Sequence, residues 1–219
     1  IREFAPELVV CVSLSGREWG DVDKRTAPLE LTGDRKPDMG SLTLSSMNFS
    51  GSASLNSPET VRRLAERMDE RGVLPELELF DLGMVNYANY LIERGVLEPP
   101  HYCNLLLGNV ASAQADPVHV GTMLRDLPAD SVWALAGIGN AQVSTNTLAV
   151  ALGGGVRVGL EDAIYMGADR ERLATNEDLV RRVHELIDLN GHDVMEPGQL
   201  RDRLDLEPGF GQYGRECPE

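Results

Sequence analysis

A chain of 219 residues, 42% hydrophobic and 25% charged, has enough apolar mass for one sizeable core, so a single domain is the default. Its formal net charge of −15 excludes a surface built to wrap nucleic acid or an anionic membrane, because both require positive charge. Three scattered cysteines, Cys11, Cys103 and Cys217, lack CxxC or CxxH spacing and read as reduced thiols of a cytoplasmic protein, and no apolar run approaches the ~20 residues of a membrane helix.

In chain order, Glu7 to Ser15 (ELVVCVSLS) is apolar, β-branched and bounded by Pro6 and Gly16, the pattern of a buried strand that carries Ser13, Ser15 and Gly16 at its C-terminal end. Arg17 to Arg35 is polar and weakly periodic and reads as loop or short helix. Ser41 to Met47 is a second strand, in which Ser41, Thr43 and Ser45 line up hydroxyls that can bond an anion or one another. Ser57-Pro58-Glu59 opens a helix with a serine cap and a proline at the first position, and Gly72 stops it. Leu74 to Asp81 (LPELELFD) alternates as a third strand with Glu76 and Glu78 on one face. Two carboxylates on a strand face are costly if buried without a cation, so that face is either solvated or lines a polar site.

An amphipathic helix follows from Met84 to Arg94, then a fourth strand from Tyr102 to Leu107. Asp116-Pro117 caps a helix over 117–126 by the device already seen at Ser57-Pro58. Ser131 to Ala136 is the fifth strand, leading through Gly137-Ile138-Gly139-Asn140 into a small-residue helix to Leu152. That turn can offer N–H groups to a phosphate, but it lacks the third glycine of a Rossmann fingerprint and the lysine of a P-loop. Val156 to Leu160 is the sixth strand, a long amphipathic helix runs from about Asn176 to Leu189, and the tail reads as a short helix followed by loose chain.

The stretch from Gly153 to Asp162 (GGGVRVGLED) ends the sixth strand with two adjacent carboxylates, for which a buried strand has no packing reason. In an extended strand Arg157 and Glu161 share one face and Asp162 takes the other. At a strand's C-terminal end in a βα-repeat protein, such a doublet either ligates a metal and moves protons or caps the next turn with Arg157 as its counter-charge. The alternation of strand and helix, without a dinucleotide fingerprint, favours a (β/α) barrel over an open doubly wound sheet. Six predicted units are two short of a closed TIM barrel.

Five ordered blocks, PDMGSLTLSSMNF (37–49), LPELELFDLGM (74–84), NLLLGN (104–109), WALAGIGNAQ (133–142) and GGGVRVGLEDAIY (153–165), closely resemble the beta-keto acid cleavage enzymes, and the resemblance spans nearly the whole chain. It implies a TIM (β/α)8 barrel with Zn2+ that converts a beta-keto acid and acetyl-CoA to acetoacetate and a new acyl-CoA. It further implies Glu161 as a zinc ligand, Asp162 in proton transfer and Arg157 as the residue that orients reacting oxygens. Ser13, Gly16, Thr43 and Glu78 resemble substrate-binding positions, which turns the Glu78 face inward. Family members look like homo-oligomers.

The resemblance breaks at the metal. Members carry a His-x-His pair at the end of the second barrel strand, whereas the four histidines here, His101, His119, His184 and His192, are isolated and read as structural or surface residues. A catalytic zinc takes about three protein ligands, and this chain offers one. The expectation is therefore a barrel over residues 1–205 lacking its first two βα units, with a tail over 206–219, and little zinc binding or turnover by this chain alone. A non-catalytic barrel remnant and another metal-dependent C–C lyase or aldolase are the competing functions. Gly155 and Ala163 depart from common family residues and leave the keto acid open. The metal reading also sets a condition: the acidic doublet must face the barrel mouth and not be paired off with basic neighbours.

Overall fold

A computed structural model describes residues 1–207. Among them, six parallel strands form one curled sheet in the order β1 (Cys11–Val12), β2 (Met39–Thr43), β5 (Leu74–Leu79), β6 (Tyr102–Leu107), β7 (Val132–Gly137) and β8 (Gly155–Arg157), with β1 and β8 as its two edges. The architecture is an α/β half-barrel. A separate two-stranded ribbon, β3 (Met47–Asn48) with β4 (Ala53–Ser54), stands after β2.

The helices form where the sequence predicts them. After α1 (Val22–Thr26) come α2 (Pro58–Glu70), α3 (Leu82–Glu93), α4 (Pro117–Arg125), α5 (Gln142–Ala151), α6 (Asn176–Leu189) and α7 (Pro197–Arg203). Ser57 accepts from Thr60 N and Asp116 from Val118 N, as the Ser-Pro and Asp-Pro pairs imply, and Thr175 with Asp178 closes a reciprocal capping box on α6.

The strands are shorter or shifted. The first predicted strand shrinks from Glu7–Ser15 to two residues because β1 has a neighbour on one side only, pairing Cys11 with Met39 and Val12 with Gly40. The second begins and ends earlier than Ser41–Met47, and Met47 leaves it to pair with Ser54 in the ribbon. The sixth stops at Arg157, because Gly159 O already accepts from Asp162 N (3.2 Å) and Ala163 N (3.2 Å) in a turn.

The alternation divides two environments. Leu77 and Leu79 of β5, with Cys103, Leu105 and Leu107 of β6, point outward into the core shared with Leu64, Met68, Val85 and Leu91 of the helix layer. Inward residues stack in three layers. The lowest is apolar, Met39, Leu74, Tyr102 and Val132, and it is plugged by Leu200, Leu204 and Leu206. Arg201 of α7, with 2% of its side chain exposed, ties this plug to the sheet by bonding Asp38 at 2.9 and 3.3 Å and the carbonyls of Glu7, Leu8 and Glu207. Leu206, assigned from sequence to the tail, is therefore buried, while Cys217 and the rest of the tail lie outside the described residues. The middle and upper layers are polar and shape the site.

Candidate active site

The middle layer is Ser41, Glu76, Asn104 and Ala134. Register pairs Ser41 with Glu76 and Asn104 with Ala134. Glu76 accepts from Asn104 Nδ2 at 2.9 Å and from Cys11 Sγ at 3.3 Å, while Ser41 Oγ accepts from Leu14 N at 3.0 Å. The upper layer adds Thr43, which donates to Glu78 Oε2 at 2.5 Å, and Arg157, whose Nη1 lies 3.6 Å from Glu78 Oε1. Among the described residues the hydroxyls of the row read from the sequence do not bond one another: Ser41 serves a backbone N–H and Thr43 the carboxylate of Glu78 on the next strand. Ser45 lies beyond the end of β2 and donates to Ser46 O.

Arg157 is the hub of the mouth. Beyond Glu78 it bonds Asp162 through Nε (3.1 Å) and Nη2 (3.2 Å) and Glu161 through Nη2 (3.2 Å). The strand-parity expectation for this trio is overturned, since the chain turns at Gly159 and one guanidinium reaches both carboxylates. Asp162 is buried, and its backbone is fixed by Gly139 N, which donates to its carbonyl at 2.7 Å. Glu161 is 65% exposed and takes a second guanidinium, Arg17 Nη2, at 3.2 Å on its other oxygen.

These groups line one cavity of ≈350 Å3 at the C-terminal ends of the strands, together with Ser13, Thr43, Glu76 and Glu78. Of the residues singled out from sequence, Gly16 stands behind the cavity lining. A Cβ there would come within 2.9 Å of Arg25 Nη1, and Arg25 is a buried guanidinium that holds Leu14 O and Asn56 Oδ1. The doublet faces the mouth, but it is paired with Arg157 and Arg17, so the condition set by the metal reading is met only in its first half. Physically, carboxylates this close to a half-buried guanidinium find their counter-charge there.

Burial pushes the Asp162 carboxyl above the ordinary range against the opposing pull of Arg157, and burial followed by the charge of Glu76 raises Glu78 against its bond from Thr43. A carboxyl whose folded pKa is raised destabilises the fold once it ionises. Stability is therefore lost as pH rises from the unfolded carboxyl value through the folded one. Glu78→Gln, which keeps the acceptor for Thr43, is expected to melt above the parent at pH 8 and to lose that advantage at pH 4, as followed by circular dichroism.

Zinc does not fit the donors present. No group of three His, Cys, Asp or Glu among the described residues is arranged to hold a metal, and both Glu161 oxygens are engaged by arginines. His119 accepts from Gln114 N at 3.0 Å through Nδ1, a loop contact, and His101 is buried. Sequence reasoning missed Asn104 and Arg17. A lone asparagine in an apolar strand, and an arginine just past a strand's C-terminal end, were the signals available.

Comparison with known proteins agrees with this geometry. The sequence profile of the family described as beta-keto acid cleavage enzyme matches residues 1–206. A 3-keto-5-aminohexanoate cleavage enzyme of Fusobacterium nucleatum is 34% identical over 209 residues, covering 94% of this chain and 74% of that protein. A 3-oxoadipate:acetyl-CoA acetyltransferase of Cupriavidus necator is 34% identical over 211 residues, covering 94% and 72%. Among solved structures, the binary complex of ObcA with oxaloacetate superposes with a TM-score of 0.77 at 22% identity, covering 93% of this chain and 54% of that one, a likeness of fold. The chain thus spans about three quarters of these curated relatives and about half of the solved structure. With the five sequence blocks gathered on one half-barrel and supplying most of the residues that line its cavity, this chain belongs to the beta-keto acid cleavage enzyme family.

Proposed function

We propose that this chain carries most of the active site of a transferase that exchanges acyl groups between a beta-keto acid and acetyl-CoA. The bond between the keto acid's acyl carbon and its carboxymethyl group breaks, the acyl group passes to CoA, and the carboxymethyl fragment takes up the acetyl group as acetoacetate. The observation that carries this reading is the Arg157 hub, one guanidinium against Asp162, Glu161 and Glu78 at the mouth of a hydroxyl-lined cavity.

Asp162 is the proton carrier at the mouth. Burial raises its affinity for a proton, and a carboxylate of that kind is suited to taking one from the carbon between the keto and carboxylate groups. Arg157 aims Asp162 and faces the developing oxyanion, where a fixed cation is worth most in a site shielded from water. Ser13 and Thr43 offer hydroxyls to the substrate's oxygens, Glu78 holds Arg157 and Thr43 in place, and Gly16 lets the first loop close on Arg25.

Zn2+ belongs to the reading only with donors from outside this chain beside Glu161, where it would supply Lewis-acid polarisation of the keto oxygen. We read the six strands as six of the eight of a TIM barrel, which would close the open edges at β1 and β8. A homo-oligomer and a cytoplasmic location complete the proposal, the latter in keeping with the free thiols Cys11 and Cys103 and with the lack of any membrane-crossing helix among the described residues. This chain by itself is expected to turn over little or not at all.

The test is acetoacetate formation from acetyl-CoA and a panel of beta-keto acids, on this chain and on any longer reading frame that contains it. Turnover in the longer protein, lowered about 10²–10⁴-fold in kcat by Asp162→Asn, is expected. No acetoacetate from either sinks the reading. The arginine pairing of both Glu161 oxygens favours, as second reading, a remnant that binds a small carboxylate without chemistry; retained binding without turnover in both forms would support it. Cleavage of the keto acid without CoA would point to a lyase instead.

A further inference from the structure

Arg17 has no part in the chemistry above, yet it lines the same cavity as Arg157. Its guanidinium is held on three sides. Nε donates to Ser15 Oγ at 3.2 Å, Nη2 donates to Glu161 Oε1 at 3.2 Å, and Cζ lies 5.3 Å from the centroid of Phe49, whose ring is set edge-on against Phe80 at 6.0 Å. Nη1 has no protein partner among the described residues. An arginine pinned by a hydroxyl and an aromatic face has lost much of its rotamer freedom before any ligand arrives, so its remaining N–H groups can take a carboxylate at low entropic cost.

The other charged groups of the cavity are already engaged. Glu76 is bonded by Asn104 and Cys11, Glu78 by Thr43 and Arg157, and Asp162 by Arg157. Arg157 itself faces three carboxylates, whereas Arg17 faces one, and that one is 65% exposed. A surface pair of this kind is worth about 0–1 kcal/mol and yields easily to a competing carboxylate. With the reacting end of a substrate at Arg157 and Asp162, Arg17 is the cation left at the rim for the far end. We propose that Arg17 is the receptor for a second carboxylate, at the distal end of the keto acid, so that this chain takes dicarboxylic beta-keto acids in preference to neutral or ammonium-bearing ones. The proposal rests on reading this cavity as the keto-acid site.

Three six-carbon probes of matched length test it without requiring turnover: adipate, hexanoate and 6-aminohexanoate, titrated calorimetrically into the 219-residue chain at low ionic strength. Adipate is expected to bind about 10-fold or more tightly than either of the others, the effect of one charge-assisted contact. Arg17→Met should bring adipate down to the affinity of hexanoate and leave hexanoate unchanged, and Arg17→Lys should retain part of the preference. Tightest binding by 6-aminohexanoate, or an adipate preference that survives Arg17→Met, overturns the proposal. Equal binding of adipate and hexanoate defeats the role of Arg17 alone, and failure of all three to bind defeats the cavity reading with it.

Discussion

Replacing Arg157 with methionine is expected to destabilise the protein by about 3–5 kcal/mol at pH 7, the usual result of removing one partner from a buried pair and stranding the other. The stranded group is Asp162, whose side chain is 4% exposed and whose two oxygens both accept from this guanidinium. Thr43 still serves Glu78, and exposed Glu161 can turn to water, so Asp162 dominates the loss. The pH dependence identifies it. Without the arginine, burial acts on the Asp162 carboxyl unopposed and raises its folded pKa further. The penalty is then present above that pKa and is relieved as pH falls through it toward the unfolded value of about 3.9. Urea midpoints of parent and variant should therefore converge between pH 7 and pH 4. A gap that stays constant across that range would mean that Asp162 is not the group held by Arg157.

A second loss of similar size is expected at the opposite end of the barrel. Arg201→Met removes the guanidinium that holds Asp38 and three backbone carbonyls, with 2% and 0% of the two side chains exposed. About 3–5 kcal/mol follows from a stranded buried carboxylate, and at about 2–4 °C per kcal/mol for a chain of this size the melting point should fall by roughly 6–20 °C. Asp38→Asn in the same background should recover part of the loss, because it removes the charge while leaving an acceptor for Val10 N, which lies at 2.7 Å. Arg2, at 2.8 Å from Asp38, remains as a second cation and limits both effects. A double-mutant cycle resolves the pair: a coupling near zero would show that α7 is held by Leu200, Leu204 and Leu206 alone. Neither substitution touches the cavity, so ligand binding at temperatures where both variants stay folded should match the parent.

Both effects come from charges that the sequence displays without revealing their partners. Arg157, Glu161 and Asp162 stand within six positions, so their association could be read, but the side of the strand could not. Strand parity predicted Asp162 on the face opposite Arg157. The turn at Gly159 ends the strand before that parity applies, and both carboxylates swing to one guanidinium. Glu76 and Glu78 were recognisable as a costly pair on one face, while their partners Asn104, Cys11, Thr43 and Arg157 come from four other strands.

The sequence by itself determined the helices and their caps, the order of the six parallel strands, the placement of Glu76 and Glu78 on one strand face and the family, because these depend on periodicity, capping chemistry and local blocks of residues. Only the tertiary structure decided where the edge strands stop, that the acidic doublet is engaged by arginines, that Arg17 joins the cavity, and that Arg201 reaches back 163 positions to Asp38. Those outcomes depend on which side chains meet across the curled sheet. Burial and charge at such meetings are set by neighbours distant in the chain, and no local pattern encodes them.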